Sequence, residues 1–198
     1  MIRPMGFRCH PAIPHSLAGA LIMLYYTLCM PTGLSHAEET MSLTITSNAF
    51  TNGGGIPTRY TCQGKDISPP LDWRGVPHNA RSLVLIVDDP DAPDPEAPRM
   101  TWVHWVLFNL PPDMVDLPEG VNPDDLPPGT GQGMNSWNRT GYGGPCPPVG
   151  RHRYFHKLYA LDTVLDLPGK PTSKVLEAAM QGHVIGQAEL VGTYQKSR

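Results

Sequence analysis

Ser82-Leu-Val-Leu-Ile-Val87, followed at once by Asp88-Asp-Pro-Asp-Ala-Pro93, decides the fold class. The first six residues form an apolar run of strand length, rich in β-branched side chains, as a strand buried at the centre of a sheet requires. The Asp/Pro cluster favours a turn and is expected to end the strand there. Downstream, Thr101-Trp-Val-His-Trp-Val-Leu-Phe-Asn109 reads as a strand buried on both faces and closed by Pro111-Pro112. Arg153-Tyr-Phe-His-Lys-Leu-Tyr-Ala-Leu161 is a third strand, and His183 to Tyr194 the last. Upstream, Leu43-Thr-Ile-Thr-Ser47 alternates apolar and polar residues, as a half-buried strand does. One helix stands out, Ser173 to Gln181. Thr172 serves as its N-cap, Leu176, Ala179 and Met180 share a face, and Gly182 ends it. Short strands joined by Pro/Gly loops, with a small helix near the end, predict a mostly β fold. The expected form is a two-sheet antiparallel Greek-key β-sandwich with one or two short peripheral helices.

Composition agrees. A chain of 198 residues has room for one domain of ordinary size. Its 20 Gly and 23 Pro follow no period, which excludes collagen, and so much Pro excludes a helical bundle. The apolar runs argue against global disorder. A net charge of −3 leaves no basic footprint for nucleic acid.

Arg3 and Arg8 are the only formal charges in the first 37 residues. An apolar run from Leu17 to Met30 follows, short for a membrane span of ~20 residues. Pro31 and Gly33 break it, and Ser35-His36-Ala37 brings small residues to a cleavage position. This order predicts a secretory signal over residues 1–37, cleaved after Ala37, and a mature domain over 38–198 without a transmembrane segment. The expected location is the periplasm or the exterior. Cys9 and Cys29 would leave with the signal. Cys62 and Cys146 remain, either as one disulfide closing a long loop or as two separate buried thiols.

Between Leu110 and Arg151 about forty residues carry no clear element. Long irregular connections inside a domain are often functional. Trp137 and Tyr142 predict that this one docks on the body, and its clustered prolines predict stiffness.

Strand side chains alternate with period two, which puts His104 on a face with Trp102 and Val106, and His152 on a face with Tyr154 and His156. Suppose the strands at 83–87 and 102–109 are antiparallel neighbours and 153–161 enters from the same end. Asp89, His104, His152 and Tyr154 then line one mouth, with Pro147 and Pro148 as its rim and Trp102 and Trp105 as its apolar wall. Imidazoles and a phenol, with backbone N–H groups from the Gly-rich loop, suit a phosphate or another oxyanion. Asp89 can orient one imidazole and raise its basicity. Anion affinity should then rise as the imidazoles protonate, near or above ~6.5. Each residue also has a plain structural reading: a strand histidine can be a satisfied core residue, and Asp88-Asp-Pro-Asp is a good turn by itself. No metal site is expected, because no ligand pair occurs at helical spacing and His152 and His156 stand too far apart on a strand. Ser136 lacks a nucleophile-elbow motif, and Cys146 between prolines fits half a disulfide. No cofactor and no catalytic activity are expected.

At these residues the chain resembles the phosphatidylethanolamine-binding protein family, in its bacterial branch related to Raf kinase inhibitor protein. Asp89-Pro-Asp-Ala-Pro93 is similar to the first family signature, and Trp102-Val-His-Trp-Val-Leu-Phe-Asn109 to the strand carrying the pocket histidine. Gly144-Pro-Cys-Pro-Pro148 with Gly150-Arg-His-Arg-Tyr154 is similar to the second signature. Ile67-Ser-Pro-Pro-Leu-Asp-Trp73 and Gly182-His-Val-Ile-Gly-Gln-Ala-Glu-Leu190 fit the bacterial branch. The resemblance runs from Leu43 to Gln195 and implies a two-sheet sandwich with a small anion-binding pocket. It places Asp89, His104, Pro148, His152 and Tyr154 on pocket-lining positions, with Asp91, Gly144 and Pro147 beside them. Val103 stands where animal members carry a second histidine. The expected partner is a phosphate-bearing small molecule or a phospholipid headgroup. The alternative is a protein-interaction module, such as a protease or kinase inhibitor, acting through loop 143–150.

Overall fold

A computed structural model describes residues 42–197. The expected signal over 1–37, with Cys9 and Cys29, lies outside the described residues. Within them the chain forms β1 (Thr44–Thr46), β2 (Leu71–Arg74), β3 (Ser82–Ala92), β4 (Met100–Leu110), β5 (Asp116–Leu117), β6 (Gly131–Gln132), β7 (Arg151–Leu161), α1 (Ser173–Met180) and β8 (Val184–Gln195). Short 3-10 turns occupy Thr58–Tyr60 and Pro123–Asp125. The strands make two antiparallel sheets, ordered β1-β2-β5 and β6-β4-β3-β7-β8.

The apolar run of β3 is continuous because β3 is the middle strand of the larger sheet and both its faces are covered. Leu83, Leu85 and Val87 point between the sheets, onto Ile45, Leu71, Trp73 and Leu117. Val84 and Ile86 point the other way and join Val106, Phe108 and Leu161 beneath Leu176 and Met180 of α1. Thr172 caps α1 as expected, its Oγ1 accepting from the Val175 N–H at 3.4 Å. No helix among the described residues is long and apolar enough to cross a membrane.

Three expectations need correction. The β3 ladder does not stop at Val87 but continues through the Asp/Pro cluster to Ala92. Turn propensity loses there because Asp88, Asp89 and Ala92 pair with Val103, Trp102 and Met100 of β4. In addition, three carboxylates find partners on β7: Asp88 with Lys157, Asp89 with His152 and Asp91 with Arg153, each at 2.7 Å. The start of β4 is not buried on both faces, since Met100 and Thr101 are exposed. Finally, the stretch from 110 to 151 is not wholly irregular. It holds β5, β6 and one 3-10 turn, all too short to leave a periodic signal.

Cys62 and Cys146 form a disulfide, with S–S 2.10 Å and Cα–Cα 5.4 Å. The separate-thiol reading is thereby withdrawn.

Candidate ligand-binding pocket

Antiparallel pairing of β3 with both β4 and β7 brings the end of β3 and the beginnings of its two neighbours to one end of the larger sheet. A cavity of about 420 Å³ opens there. Asp89 and Ala92 of β3, Trp102 of β4, and His152 and Tyr154 of β7 line it, with Trp137, Cys146, Pro147 and Pro148 from the long connection. The expected convergence of distant segments is therefore present, although not every expected residue takes part in the same way.

Asp89 and His152 form the polar centre. The Asp89 Oδ2 lies 2.7 Å from His152 Nδ1, while His152 Nε2 lies 2.9 Å from the Val149 carbonyl oxygen. A carbonyl only accepts, so Nε2 carries a proton and donates it. The second proton is then shared between Nδ1 and the carboxylate, and the pair as a whole is neutral. Burial raises the Asp89 pKa, opposed by the bond to His152. Its other oxygen accepts from the Asp91 N–H at 2.8 Å. Tyr154, 1% exposed, stacks at 6.5 Å from His152, and its hydroxyl has no partner among the described residues. Burial raises its pKa, so the phenol stays protonated.

His104 enters through a β-bulge. Val87 pairs with Trp105 and Asp88 with Val103, leaving His104 as an extra residue in β4. Alternation slips by one at that point. Val106 faces α1 and not the side of His104, and Trp105 belongs to the inter-sheet core and not to the pocket wall. Both expectations are corrected, whereas Trp102 does line the cavity. His104 sits behind the lining, edge-on to Tyr154 at 5.1 Å and to Trp137 at 5.2 Å. Its Nδ1–H donates to the Gly143 carbonyl at 2.6 Å, and Nε2, buried, has no partner among the described residues. Burial pushes its pKa down to about 4. The expectation that both imidazoles protonate near or above ~6.5 fails for this one.

Asp91 and Gly144 frame the pocket without lining it. Asp91 accepts from the Arg153 backbone and guanidinium, which holds its carboxyl below the usual range. The Gly144 N–H donates to Asp66 Oδ1 at 2.6 Å and the Gly143 N–H to the His104 carbonyl at 3.1 Å. The Gly-rich loop therefore has no free N–H at these two positions to offer an oxyanion, contrary to expectation. Pro147 and Pro148 do form the rim.

Two residues of the long connection matter more than periodicity could show. Buried Asn135 organises the loop, accepting from the Trp137 and Arg139 N–H groups and donating to the Gly141 carbonyl. Trp137 then stands edge-on to both Trp102 and His104. The only prior sign of this was a tryptophan in a loop.

A family model described as phosphatidylethanolamine-binding protein matches residues 46–195. A UPF0098 protein of Methanothermobacter thermautotrophicus is 55% identical over 157 residues, covering 78% of this chain and 99% of that protein. The crystal structure of a phosphatidylethanolamine-binding protein homolog, CT736 of Chlamydia trachomatis, superposes with a TM-score of 0.72 at 45% identity, over 79% of this chain and 99% of the other. YbcL of E. coli, described as a new member of the mammalian family, gives 0.71 at 30% identity over 79% and 100%.

Proposed function

The chain belongs to the phosphatidylethanolamine-binding protein family, and on that premise we propose that its pocket binds a phosphate-type anion or a phospholipid headgroup without turning it over. One observation carries this. The Asp89–His152 pair and the unpartnered Tyr154 hydroxyl meet at the polar floor of a cavity walled by Trp102, Trp137 and prolines. Such a floor can orient a polar head while the aromatic wall receives an organic substituent. The names of the family and of the Chlamydia homolog point to the same ligand class. For catalysis the arrangement supplies no activated nucleophile: Cys146 is tied into a disulfide, and Ser136 Oγ accepts the Val103 N–H.

Titration of histidine-labelled protein with phosphate and phosphoethanolamine tests the reading. The His104 and His152 ring resonances should move and saturate; resonances that stay in place sink it. Phosphoester hydrolysis that disappears in His104→Ala would overturn the non-catalytic part.

Export is part of the same proposal. A surface disulfide suits an oxidising compartment. The mature N-terminus should be Glu38 by mass spectrometry, and an uncleaved cytosolic product would contradict it. Presentation of loop 143–150 to a protease or kinase finds less support, because Gly143, Gly144, Pro145 and Pro147 are buried against the body.

A further inference from the structure

A second cavity, of about 240 Å³, shares no lining residue with the pocket at the end of the larger sheet. Ile67, Val121 and Leu126 give it an apolar side, and Trp105, packed edge-on to Tyr142 at 5.7 Å, adds an aromatic one. Trp105 is only 2% exposed, and a tryptophan so buried usually pairs its indole N–H. Here that N–H has no acceptor among the described residues, yet it is not sealed from solvent as His104 Nε2 and the Tyr154 hydroxyl are. Of the three cavities, the ring lines this one alone. The cavity is therefore where its free donor can be met.

More donors stand beside it. Thr140, Gly141 and Tyr142 line the cavity in succession, and their backbone N–H groups take no acceptor among the described residues. Gly141 has a φ of +86°, and a left-handed residue in such a run lets neighbouring N–H groups converge on one anion. Arg139 precedes them. Its guanidinium lies over the Trp137 ring, 5.8 Å from the centroid, and has no carboxylate partner among the described residues. The cavity also holds an acceptor of full charge, Asp66. Its Oδ1 takes the Gly144 N–H at 2.6 Å, whereas Oδ2 takes no donor among the described residues.

We infer that this cavity is a second ligand site, for a free α-amino acid with an aliphatic side chain. The ligand carboxylate takes the N–H groups of Thr140, Gly141, Tyr142 and Trp105 and faces Arg139. The ammonium takes Asp66 Oδ2, and the hydrocarbon lies against Ile67, Val121 and Leu126. A phosphate dianion would meet the Asp66 carboxylate with like charge, and a simple amine would leave the donors unused. A charged group leaves water at little cost only where it meets its opposite, and a zwitterion does so at both ends. The volume is below the ~300–1,000 Å³ of sites for drug-sized ligands, which limits the occupant to a small molecule. The inference does not depend on what the other pocket binds.

The test is titration of nitrogen-labelled protein with three compounds, read by its indole and amide resonances. They are L-leucine, isoamylamine, which lacks the carboxylate, and isocaproate, which lacks the ammonium. Leucine should move the Trp105 indole N–H and the Gly141 and Tyr142 amides to saturation while the His152 ring stays in place. Each half-molecule should bind about tenfold more weakly or worse. Asp66→Asn keeps an oxygen for the Gly144 N–H; it should weaken leucine about tenfold and leave isocaproate no weaker. Arg139→Gln should weaken leucine and isocaproate and leave isoamylamine no weaker. A Trp105 resonance unmoved at ~10 mM leucine overturns the inference. So does equal affinity for leucine and either half-molecule, or movement of His152 in place of Trp105. The three ligands compared on the unmodified protein keep the test decisive even if a variant does not fold. Failure here leaves the anion-binding reading standing, because phosphate titration reads the other pocket.

Discussion

Asp89 and His152 are 63 residues apart in the chain and 2.7 Å apart in the fold, with side chains 5% and 1% exposed. The bond exists because β3 continues past its apolar run and because β7 pairs with it antiparallel. It joins the two signature segments into one site and orients the imidazole ring that lines the cavity.

Breaking that pair by truncation should cost far more than changing its charge. In Asp89→Ala the buried Nδ1 loses its partner and the Asp91 N–H loses its acceptor. We expect about 3 kcal/mol of lost stability in urea unfolding. Asp89→Asn keeps a shape that can bond to both groups and should cost about 1 kcal/mol. Equal losses in the two variants would contradict the assignment of the buried hydrogen bond.

Acid should destabilise the protein in a window set by its buried imidazoles. Burial lowers both His104 and His156 to about 4 in the folded state, against ~6.5 when unfolded. Between those values the unfolded chain binds more protons, so stability is complete above pH 6.5 and is lost as pH falls toward 4. The ceiling is on the order of 3 kcal/mol per histidine. Asp91, held low by Arg153, adds a loss in the same direction as pH falls through the carboxylate range. Urea midpoints at pH 7.5, 6 and 4.5 measure this, and a flat profile would refute it.

Reduction of the Cys62–Cys146 disulfide should act on the rim before the core. The bridge joins residues 84 apart and ties Cys146, a lining residue, to the segment around Cys62. Beside it the loop is held by Tyr142 Oη donating to the Tyr60 carbonyl, Gly144 N–H to Asp66, and Cys62 N–H to the Pro145 carbonyl. We expect a loss of about 2–4 kcal/mol. Amide exchange should accelerate at Cys62 and Gly144 well beyond its change in β3. Uniform acceleration across the fold would show that the bridge has no local role.

Gly144 should not tolerate even a methyl group. A Cβ there would meet the Tyr60 carbonyl oxygen and lie 2.7 Å from Asp66 Oδ1, the acceptor of its own N–H. Gly144→Ala should cost about 1–3 kcal/mol and weaken ligand binding by shifting Pro147 and Pro148. Gly141→Ala meets open space but a φ of +86°, and should cost only about 1 kcal/mol without altering the rim. Thermal unfolding of the two variants with and without phosphoethanolamine separates the effects.

Strands β3 and β4 were legible as apolar runs of strand length, and helix α1 by its cap and its one apolar face. Strands β5 and β6, two residues each, leave no such signal. Asp89, His152 and Tyr154 were legible as neighbours from strand direction and alternation. Trp137 was not, since it reaches the cavity through the hydrogen bonds of Asn135 and not through any repeat.

By itself the sequence determined which segments are apolar on one face or two, and hence the long strands and the mostly β fold, whereas the end of the sheet where polar groups gather followed only from a supposed antiparallel pairing. Only the tertiary structure decided what those groups can do. The bulge at His104, the extension of β3 and the pairing of His104 Nδ1 with Gly143 depend on register between segments far apart in the chain. A hydrogen bond uses up a donor or an acceptor at a particular atom, and composition does not reveal which atom is left free.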